Sequence, residues 1–599
     1  MTAPKPNSIA VLCTAAFFTK FLLFDIIWCC GSSFSSFSYP TTYLSKLFIA
    51  LLLVLPLFAK LPQALIIAES AAVDMLLAAN LMYFRTYYTA IPAHSYLLAG
   101  NLADFTAAVT DSIRWYDALF PAITLLVGIA LYKLPRYSPT RRQLKLYAAA
   151  TVVCGMAIAL LMIAQGGFRK AYGKMLFHRQ MSATPTYSVF GTLVYEALDR
   201  TPEMTPRLTG EIDLFLTRTA GQAPFTPATT RTPRTVIVLL LESFESWVLE
   251  REVDGVEITP RLNALLQEPN TLYAPHVLTQ VKGGRSIDAQ LLITAGLLPI
   301  NDGCYSSRYP YSTYETLVKA FRTRHNGARA LSFTPDKQTS WNQMIVAPQF
   351  GFDRLYSRDD FSRNTLTGHG NHKRLADGPF LDECLGKISE IARENNGETP
   401  LYIQCITYSG HAPFIIPEEL KAVHFSSDIP RKMADYMTAA NYTDSAVGHF
   451  IDGIKANPQL SDALIMITGD HEGLASMRQS LTADKAGAGV VSEHCFTPFI
   501  VLNSPAAIRY QDVMGQIDIY PTMLDLLGLE NCNWRGLGRS ILREDTHRGA
   551  VSPSGVLTGD DSNQELLRQA WSFSDIIIRG NYFGIKNSAT QSADAKQVN

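Results

Sequence analysis

The sequence predicts a chain of two kinds: an α-helical membrane part of about five spans, followed by an α/β domain with a largely parallel central sheet. Three observations carry this. The first 165 residues hold long apolar runs, whereas the remainder has the composition of an ordinary soluble protein. A Thr/Pro-rich stretch, "TRTAGQAPFTPATTRTPR", separates the two regions. Beyond it, short apolar runs alternate with longer helix-like segments, the pattern of a sheet buried on both faces.

The candidate spans are about Ile9 to Trp28, Leu44 to Phe58, Ala64 to Tyr83, Leu119 to Leu134 and Leu146 to Ile163. Crossing hydrocarbon takes about 20 residues. The first run is long, lacks a small-residue cleavage site and is followed by further spans, so it is expected to be retained rather than removed as a signal peptide. Lys133, Arg136, Arg141, Arg142 and Lys145 crowd the loop between spans four and five, while residues 31 to 41 carry no basic residue. The former loop is therefore expected in the cytoplasm. In a cytoplasmic (inner) membrane, that places the N-terminus on the cytoplasmic side and everything after span five on the extracytoplasmic side. Lys20, Asp25, Glu69 and Asp74 lie within spans, where charge is costly; interhelical pairing is the ordinary reading of them.

Lys plus Arg (52) nearly cancels Asp plus Glu (53), so no overall field argues for nucleic acid as a partner. Five of the nine cysteines, Cys304, Cys384, Cys405, Cys495 and Cys532, fall in the soluble part without CxxC spacing. The expected divisions are a transmembrane domain over 1–166, a connector over 167–234, a catalytic domain over 235–548, and a C-terminal hairpin with a disordered tail over 549–599. The hairpin is expected to turn near Gly580 and Asn581.

Within the soluble part, "TVIVLLLES", "ARALSFTPD", "LYIQCITYSGH" and "ALIMITGDHEG" read as strands that end in polar residues. Ligands of open α/β sheets bind beyond the carboxyl ends of strands, so Glu242, His411, Asp470 and His471 can converge on one pocket. Two carboxylates, an imidazole and a hydroxyl make an oxygen and nitrogen donor set for a divalent metal. Singly, such a Glu is more often a helix cap or surface charge, and such an Asp-His pair more often a loop; the reading rests on them jointly.

The hydroxyl is sought in "VKGGRSIDAQ". Gly283 and Gly284 permit tight or left-handed backbone, and a helix is predicted to begin near Ser286. Lys282 and Arg285 add positive charge beside a helix N-terminus, where a phosphate is favoured; a plain serine N-cap is the competing reading. With a metal on its oxygen, Ser286 becomes a nucleophile.

These stretches, together with "ITPRLNALL", "SWNQ", "SGHAPF", "NYTDSAVGHFI" and "QIDIYPTMLDLLGL", resemble the extracytoplasmic domain of lipoteichoic acid synthase, in the alkaline phosphatase/sulfatase superfamily. The five-span plan is similar too. The resemblance implies an alkaline phosphatase/sulfatase-like domain with Glu242, Ser286, Asp470 and His471 as metal ligands, Ser286 replacing the family's threonine nucleophile. It implies one divalent metal, Mn2+ ahead of Zn2+ or Mg2+. His411 matches a histidine that contacts substrate and assists proton transfer, and Trp341 an aromatic residue of the headgroup pocket. Thr334 and Gln343 stand where the family has a histidine and an arginine, which leaves the headgroup open between phosphoglycerol and phosphoethanolamine. His494 is a candidate ligand for a second zinc.

The expected activity is transfer of a phospholipid headgroup, through a covalent Ser286 intermediate, to a glycan or lipid acceptor of the cell envelope, with Arg285 and Lys282 as substrate contacts. A phosphodiesterase or sulfatase-type hydrolase is the alternative. The sulfatase version is disfavoured because Ser286 is followed by Ile287, Asp288, Ala289 and Gln290 rather than the pattern x-P-x-R. A non-catalytic lipid-binding module would be expected to lose metal ligands.

Overall fold

A computed structural model describes residues 7–588 except 32–34, 59–60, 88–89, 92–95, 97–111, 135–136, 165–178, 199–201, 220–232, 302, 369–372, 395–397, 475–476, 530–531, 533, 544–547 and 561–563. The chain forms two compact units, Met1–Arg200 with Ser554–Val556, and Thr201–Pro553 with Leu557–Asn599.

The first unit holds helices α1 (Asn7–Cys30), α2 (Pro40–Leu53), α3 (Gln63–Tyr87), α4 (Leu119–Lys133) and α5 (Arg141–Ala164). Five segments, Ile9–Cys30, Pro40–Phe58, Gln63–Arg85, Trp115–Lys133 and Arg141–Ala164, are long and apolar enough to cross a bilayer. The second begins four residues before the expected Leu44, because Pro40 supplies a preset φ at the first turn, where no N–H is needed. Its helix is interrupted at Val54, just before Pro56.

The intramembrane charges form two interhelical pairs. Lys20 of α1 pairs with Asp74 of α3 and donates to Ser70 Oγ at 2.6 Å and Thr124 Oγ1 at 2.5 Å. Lys46 of α2 meets Asp25 of α1 at 2.9 Å and also donates to the Pro185 carbonyl. That carbonyl belongs to α6 (Arg179–Leu198), which is broken at Ser188 (φ 71°). Ser45 Oγ reaches the neighbouring Thr186 carbonyl at 3.1 Å. Glu69 is half-buried, and its Oε2 has no hydrogen-bond partner among the described residues.

The segment expected as an extended connector thus contains helix α6 and, in the second unit, α7 (Pro206–Thr219). The polar residues of α7 mask an amphipathic helix, with Ile212 and Phe215 buried three positions apart. Most of the Thr/Pro-rich stretch and most of residues 85–116 lie outside the described residues.

The second unit is built on eight strands: β1 (Thr235–Leu241), β2 (Leu272–Leu278), β3 (Arg329–Phe333), β4 (Arg354–Tyr356), β5 (Leu401–Ile406), β6 (Leu464–Gly469), β7 (Phe496–Leu502) and β8 (Met514–Gly515). Their order is β8-β2-β7-β6-β1-β5-β3-β4. All neighbours run parallel except β7, which is antiparallel to both β6 and β2. Every residue of β1 is buried, the mark of a strand covered on both faces. Ile237, Leu239 and Leu241 share a core with Phe380, Leu381 and Cys384 of α9 (Asp377–Glu394) and with Val447, Phe450 and Ile451 of α10 (Arg431–Ala456). Helix α8 (Ser286–Ala295) packs against α11 (Ile519–Leu526).

The C-terminal expectation requires correction. No hairpin turns at Gly580 and Asn581. Strands β9 (Arg548–Val551) and β10 (Leu557–Asp560) form one upstream, and helix α12 (Gln564–Arg579) runs up to Gly580. The run Ile576-Ile577-Ile578 suggests a strand, but Ala570, Trp571, Ser574, Asp575, Ile577 and Ile578 are buried at helical spacing. The last eleven residues lie outside the described part.

Candidate active site

Strand register brings the candidate ligands together. Leu241 of β1 is level with Gly469 of β6, so the next residues, Glu242 and Asp470, leave adjacent strands side by side. On the other flank Leu240 is level with Ile406 of β5. The loop after β5 closes over β1: Thr407 Oγ1 accepts from Glu242 N at 3.0 Å, and a Cβ on Gly410 would stand 2.1 Å from the Glu242 carbonyl oxygen. Only glycine fits there.

Ser286 arrives from α8. Its Oγ is 3.3 Å from Glu242 Oε2 and 3.4 Å from His471 Nε2. His471 Nε2 is in turn 3.6 Å from Glu242 Oε1 and 3.5 Å from Asp470 Oδ2. Glu242, Asp470 and His471 are buried, while Ser286 keeps partial access to solvent.

Ser286 is the first residue of its helix rather than the cap; Arg285 occupies the cap position at φ 48°, ψ −115°. Neither Gly283 nor Gly284 has a positive φ, so the left-handed residue of this loop is the arginine. Gly284 is needed for space instead. A Cβ there would lie 2.2 Å from Asp288 Oδ1, and Asp288 Oδ2 accepts from both Lys282 N and Gly284 N at 2.9 Å.

Arg285 reaches back across the site. Its Nη1 donates to Glu472 Oε1 at 2.6 Å and its Nη2 to the Glu472 carbonyl at 3.0 Å. His471 Nδ1 is 3.0 Å from the same carbonyl. Arg285 Nη2 lies 3.0 Å from the same Nδ1, and Nε2 faces Glu242, Asp470 and Ser286.

The electrostatics suit a cation. Burial pushes the Glu242 carboxyl up to about 7, against hydrogen bonding from Ser243 and the Arg285 charge. Burial, then the Glu242 charge, pushes Asp470 up to about 6. Burial and Arg285 hold the His471 imidazole below its ordinary range. Burial also raises Glu472, but Arg285 and His471 more than offset this and keep it below the usual carboxylate range. Asp470 Oδ1 accepts from Ser243 N and His471 N, both at 2.7 Å, whereas Oδ2 is buried without a hydrogen-bond partner among the described residues. An orphaned carboxylate oxygen within 4.8 Å of a second carboxylate and an imidazole fits one divalent cation.

The other sequence candidates are placed differently. His411 is half-buried, stacked on Tyr408 at 5.0 Å, with Nδ1 2.8 Å from the Ala412 carbonyl. Desolvation lowers its pKa, and the Asp470 charge acts on it. Trp341 is 37 % exposed on a backbone at φ 53°, beside Asn342 at φ 57°. Two consecutive non-glycine residues in the left-handed region store strain of a kind that gathers at functional sites. Thr334 and Gln343 are both buried. His494 is exposed, and among the described residues the one ligand group found is Glu242, Asp470 and His471. Lys282 is drawn off toward the C-terminal helix: it is buried, with Nζ 3.2 Å from Asn301 Oδ1 and 4.8 Å from the Trp571 ring centroid.

Residues 234–529 match the sulfatase family, and residues 3–205 match the lipoteichoic acid synthase N-terminal domain. The lipoteichoic acid synthase-like protein YvgJ of Bacillus subtilis is 25% identical over 521 residues, covering 83% of this chain and 81% of its own. The lipoteichoic acid synthase of Staphylococcus saprophyticus is 24% identical, covering 83% of this chain and 78% of its own. This is a lipoteichoic acid synthase-like membrane phosphotransferase of the sulfatase superfamily. The solved structure of lipoteichoic acid synthase LtaP from Listeria monocytogenes shares the fold of this synthase-like chain at 19% identity, with a TM-score of 0.50, covering 62% of this chain and 98% of that one. The superfamily is metal-dependent, in keeping with the donor set.

Sequence reasoning missed the residues that hold the ligand loops of the synthase-like enzyme. Glu245, fully buried, accepts from Gly473 N at 2.8 Å and Leu474 N at 2.9 Å, and pairs with Arg478 at 2.6 Å. It thereby clamps the chain directly after Asp470 and His471. Gln516 Nε2 donates to the Asp470 carbonyl at 2.7 Å. A signal for Glu245 existed in its place three residues after Glu242, but nothing separated it from a surface charge. Glu245→Ala would take the carboxylate from the buried Arg478 guanidinium and the acceptor from two backbone N–H groups, a loss of about 3–5 kcal/mol. Thermal unfolding of the purified full-length protein should show a fall in Tm, and metal analysis a loss of bound cation.

Proposed function

We propose that this enzyme moves a phospholipid-derived headgroup, phosphoglycerol or phosphoethanolamine, through a covalent phospho-Ser286 intermediate to a hydroxyl of an envelope glycan or lipid. The observation that carries this reading is the convergence of the Ser286 hydroxyl on Glu242 and His471, beside the unpartnered Oδ2 of Asp470. Glu242, Asp470, His471 and Ser286 would hold one divalent cation, Mn2+ ahead of Zn2+ or Mg2+. Bound there, it supplies Lewis-acid stabilisation of anionic oxygen at neutral pH.

The remaining steps belong to the chain's own residues. Ser286 Oγ attacks the headgroup phosphorus; the new O–P bond forms as the bond from phosphorus to the diacylglycerol oxygen breaks. His411, with Nδ1 2.8 Å from the Ala412 carbonyl and its pKa lowered by desolvation, takes the proton that Ser286 loses and passes it to the departing diacylglycerol oxygen, then takes the acceptor hydroxyl's proton and returns it to Ser286. Arg285 and the N-terminus of α8 favour the phosphoryl oxygens. Trp341 lines the headgroup side. In the second step an acceptor hydroxyl attacks phosphorus, and Ser286 leaves with a proton restored. Diacylglycerol stays in the bilayer, which explains why the donor site is tethered to membrane spans.

The catalytic unit is extracytoplasmic in this reading, supported by the basic loop between α4 and α5. The test is to incubate the full-length protein with vesicles carrying headgroup-labelled phospholipid, then map the adduct by mass spectrometry and follow the label. Label on Ser286 that then moves to an added glycan supports transfer. Turnover with Ser286 unmodified, or label appearing only as free headgroup, overturns it.

A further inference from the structure

Lys282 stands four residues before Ser286, yet only 1 % of it is exposed. Burial pushes its ammonium down to about 7, against the pull of Asp575 and Asp288. A methionine would fill the same space, whereas a buried ammonium without partners costs several kcal/mol. The partners come from outside the loop. Nζ meets Asn301 Oδ1 at 3.2 Å and the face of Trp571 at 4.8 Å. Asp575, one turn after Trp571 on α12, is fully buried and accepts from Asn301 N at 2.9 Å. Ser574 Oγ donates to the Leu298 carbonyl at 2.6 Å.

Helix α12 therefore brackets α8 at both ends, through Lys282 before it and through Leu298 and Asn301 after it. Its outer side is itself anchored by α7: Phe215 stacks on Phe573 at 4.3 Å, and Lys586, in the helical stretch 582–588 that follows α12, reaches Asp213 at 2.7 Å. The short loop from Lys282 to Ser286 leaves little freedom between this anchor and the serine hydroxyl. Asp288 ties the same loop to α8 through the Lys282 and Gly284 amides.

We propose that Trp571 and Asp575 are positioning residues, which act through Lys282 to set where Ser286 Oγ rests against Glu242 and His471. Lys282 is then a strut of the site rather than a substrate contact. The inference rests on Ser286 being the attacking group. Its physical basis is that a displacement of about 1 Å at a reacting atom can cost on the order of a hundredfold in rate.

The experiment uses full-length protein and vesicles of headgroup-labelled phosphatidylglycerol or phosphatidylethanolamine, and reads single-turnover labelling of Ser286. Asp575→Asn and Lys282→Met are each expected to slow labelling tenfold or more, with KM for donor and bound metal unchanged. Trp571→Phe, which keeps an aromatic face over the ammonium, should stay within threefold of wild type. The double variant K282M/D575N removes one charge of each sign and keeps an amide oxygen for Asn301 N and Arg579, so its Tm should recover above that of Asp575→Asn alone while labelling stays slow. A double variant with wild-type Tm and wild-type labelling would show that the cluster only fills space and would overturn the proposal. Ser286→Ala separates the two readings. If it is inactive while Asp575→Asn labels at the wild-type rate, only the positioning role falls; if it retains full transfer, the nucleophile assignment falls and the positioning role with it.

Discussion

Ser286→Ala is expected to abolish headgroup transfer, by about a thousandfold or more, while the protein folds and inserts normally. The hydroxyl is the only part of Ser286 that engages the cluster, and its loss leaves Glu242 still bonded to Ser243 at 2.8 Å and Thr407 at 3.0 Å. Packing around the helix start is not disturbed. Ser286→Thr makes a second arm, since it restores a hydroxyl at the cost of one methyl beside a partly exposed residue. Transfer by that variant should fall within about tenfold of wild type, a barrier difference of about 1.4 kcal/mol. Transfer undiminished in the alanine variant would remove Ser286 from the chemistry.

Asp470→Asn should be nearly as damaging for a different reason. The asparagine oxygen can keep the bonds that Oδ1 makes to the Ser243 and His471 amides, so the loop holds its shape. The amide nitrogen then replaces the unpartnered Oδ2 and cannot donate a lone pair. Bound metal should drop from one per chain to a small fraction, and transfer by about a hundredfold or more. Wild-type protein should gain about 2.7 kcal/mol of stability with cation at a hundred times its Kd, and the asparagine variant should gain none. Equal metal content and equal thermal shifts in the two proteins would exclude Asp470 as a ligand.

Much of this site was legible because its donors follow strands buried on both faces. Such strands read as largely apolar runs, so the first charged residue after each, Glu242 after β1 and Asp470 after β6, stands out. Ser286 was legible from the glycines and basic residues before it. The direction of those basic side chains was not. Arg285 and Lys282 are three residues apart and chemically alike, yet one closes over Glu472 and the other is drawn under Trp571, 289 positions away. Which way each turns depends on a helix that the run of isoleucines made look like a strand. Glu245 was invisible for a related reason: its partners Gly473, Leu474 and Arg478 come from beyond β6, and no local pattern announces them. The antiparallel course of β7 likewise follows from sheet order rather than from its own residues.

The paired charges of the first unit bear on how it is assembled. A lone α1 entering the bilayer would carry both Lys20 and Asp25 without their counterparts, at about 3 kcal/mol for each charge near the centre. Lys20 is neutralised only when α3 delivers Asp74, and Asp25 only when α2 delivers Lys46. The first three helices must therefore partition into lipid as a group, and α1 alone makes a poor substitute anchor for the enzyme it begins.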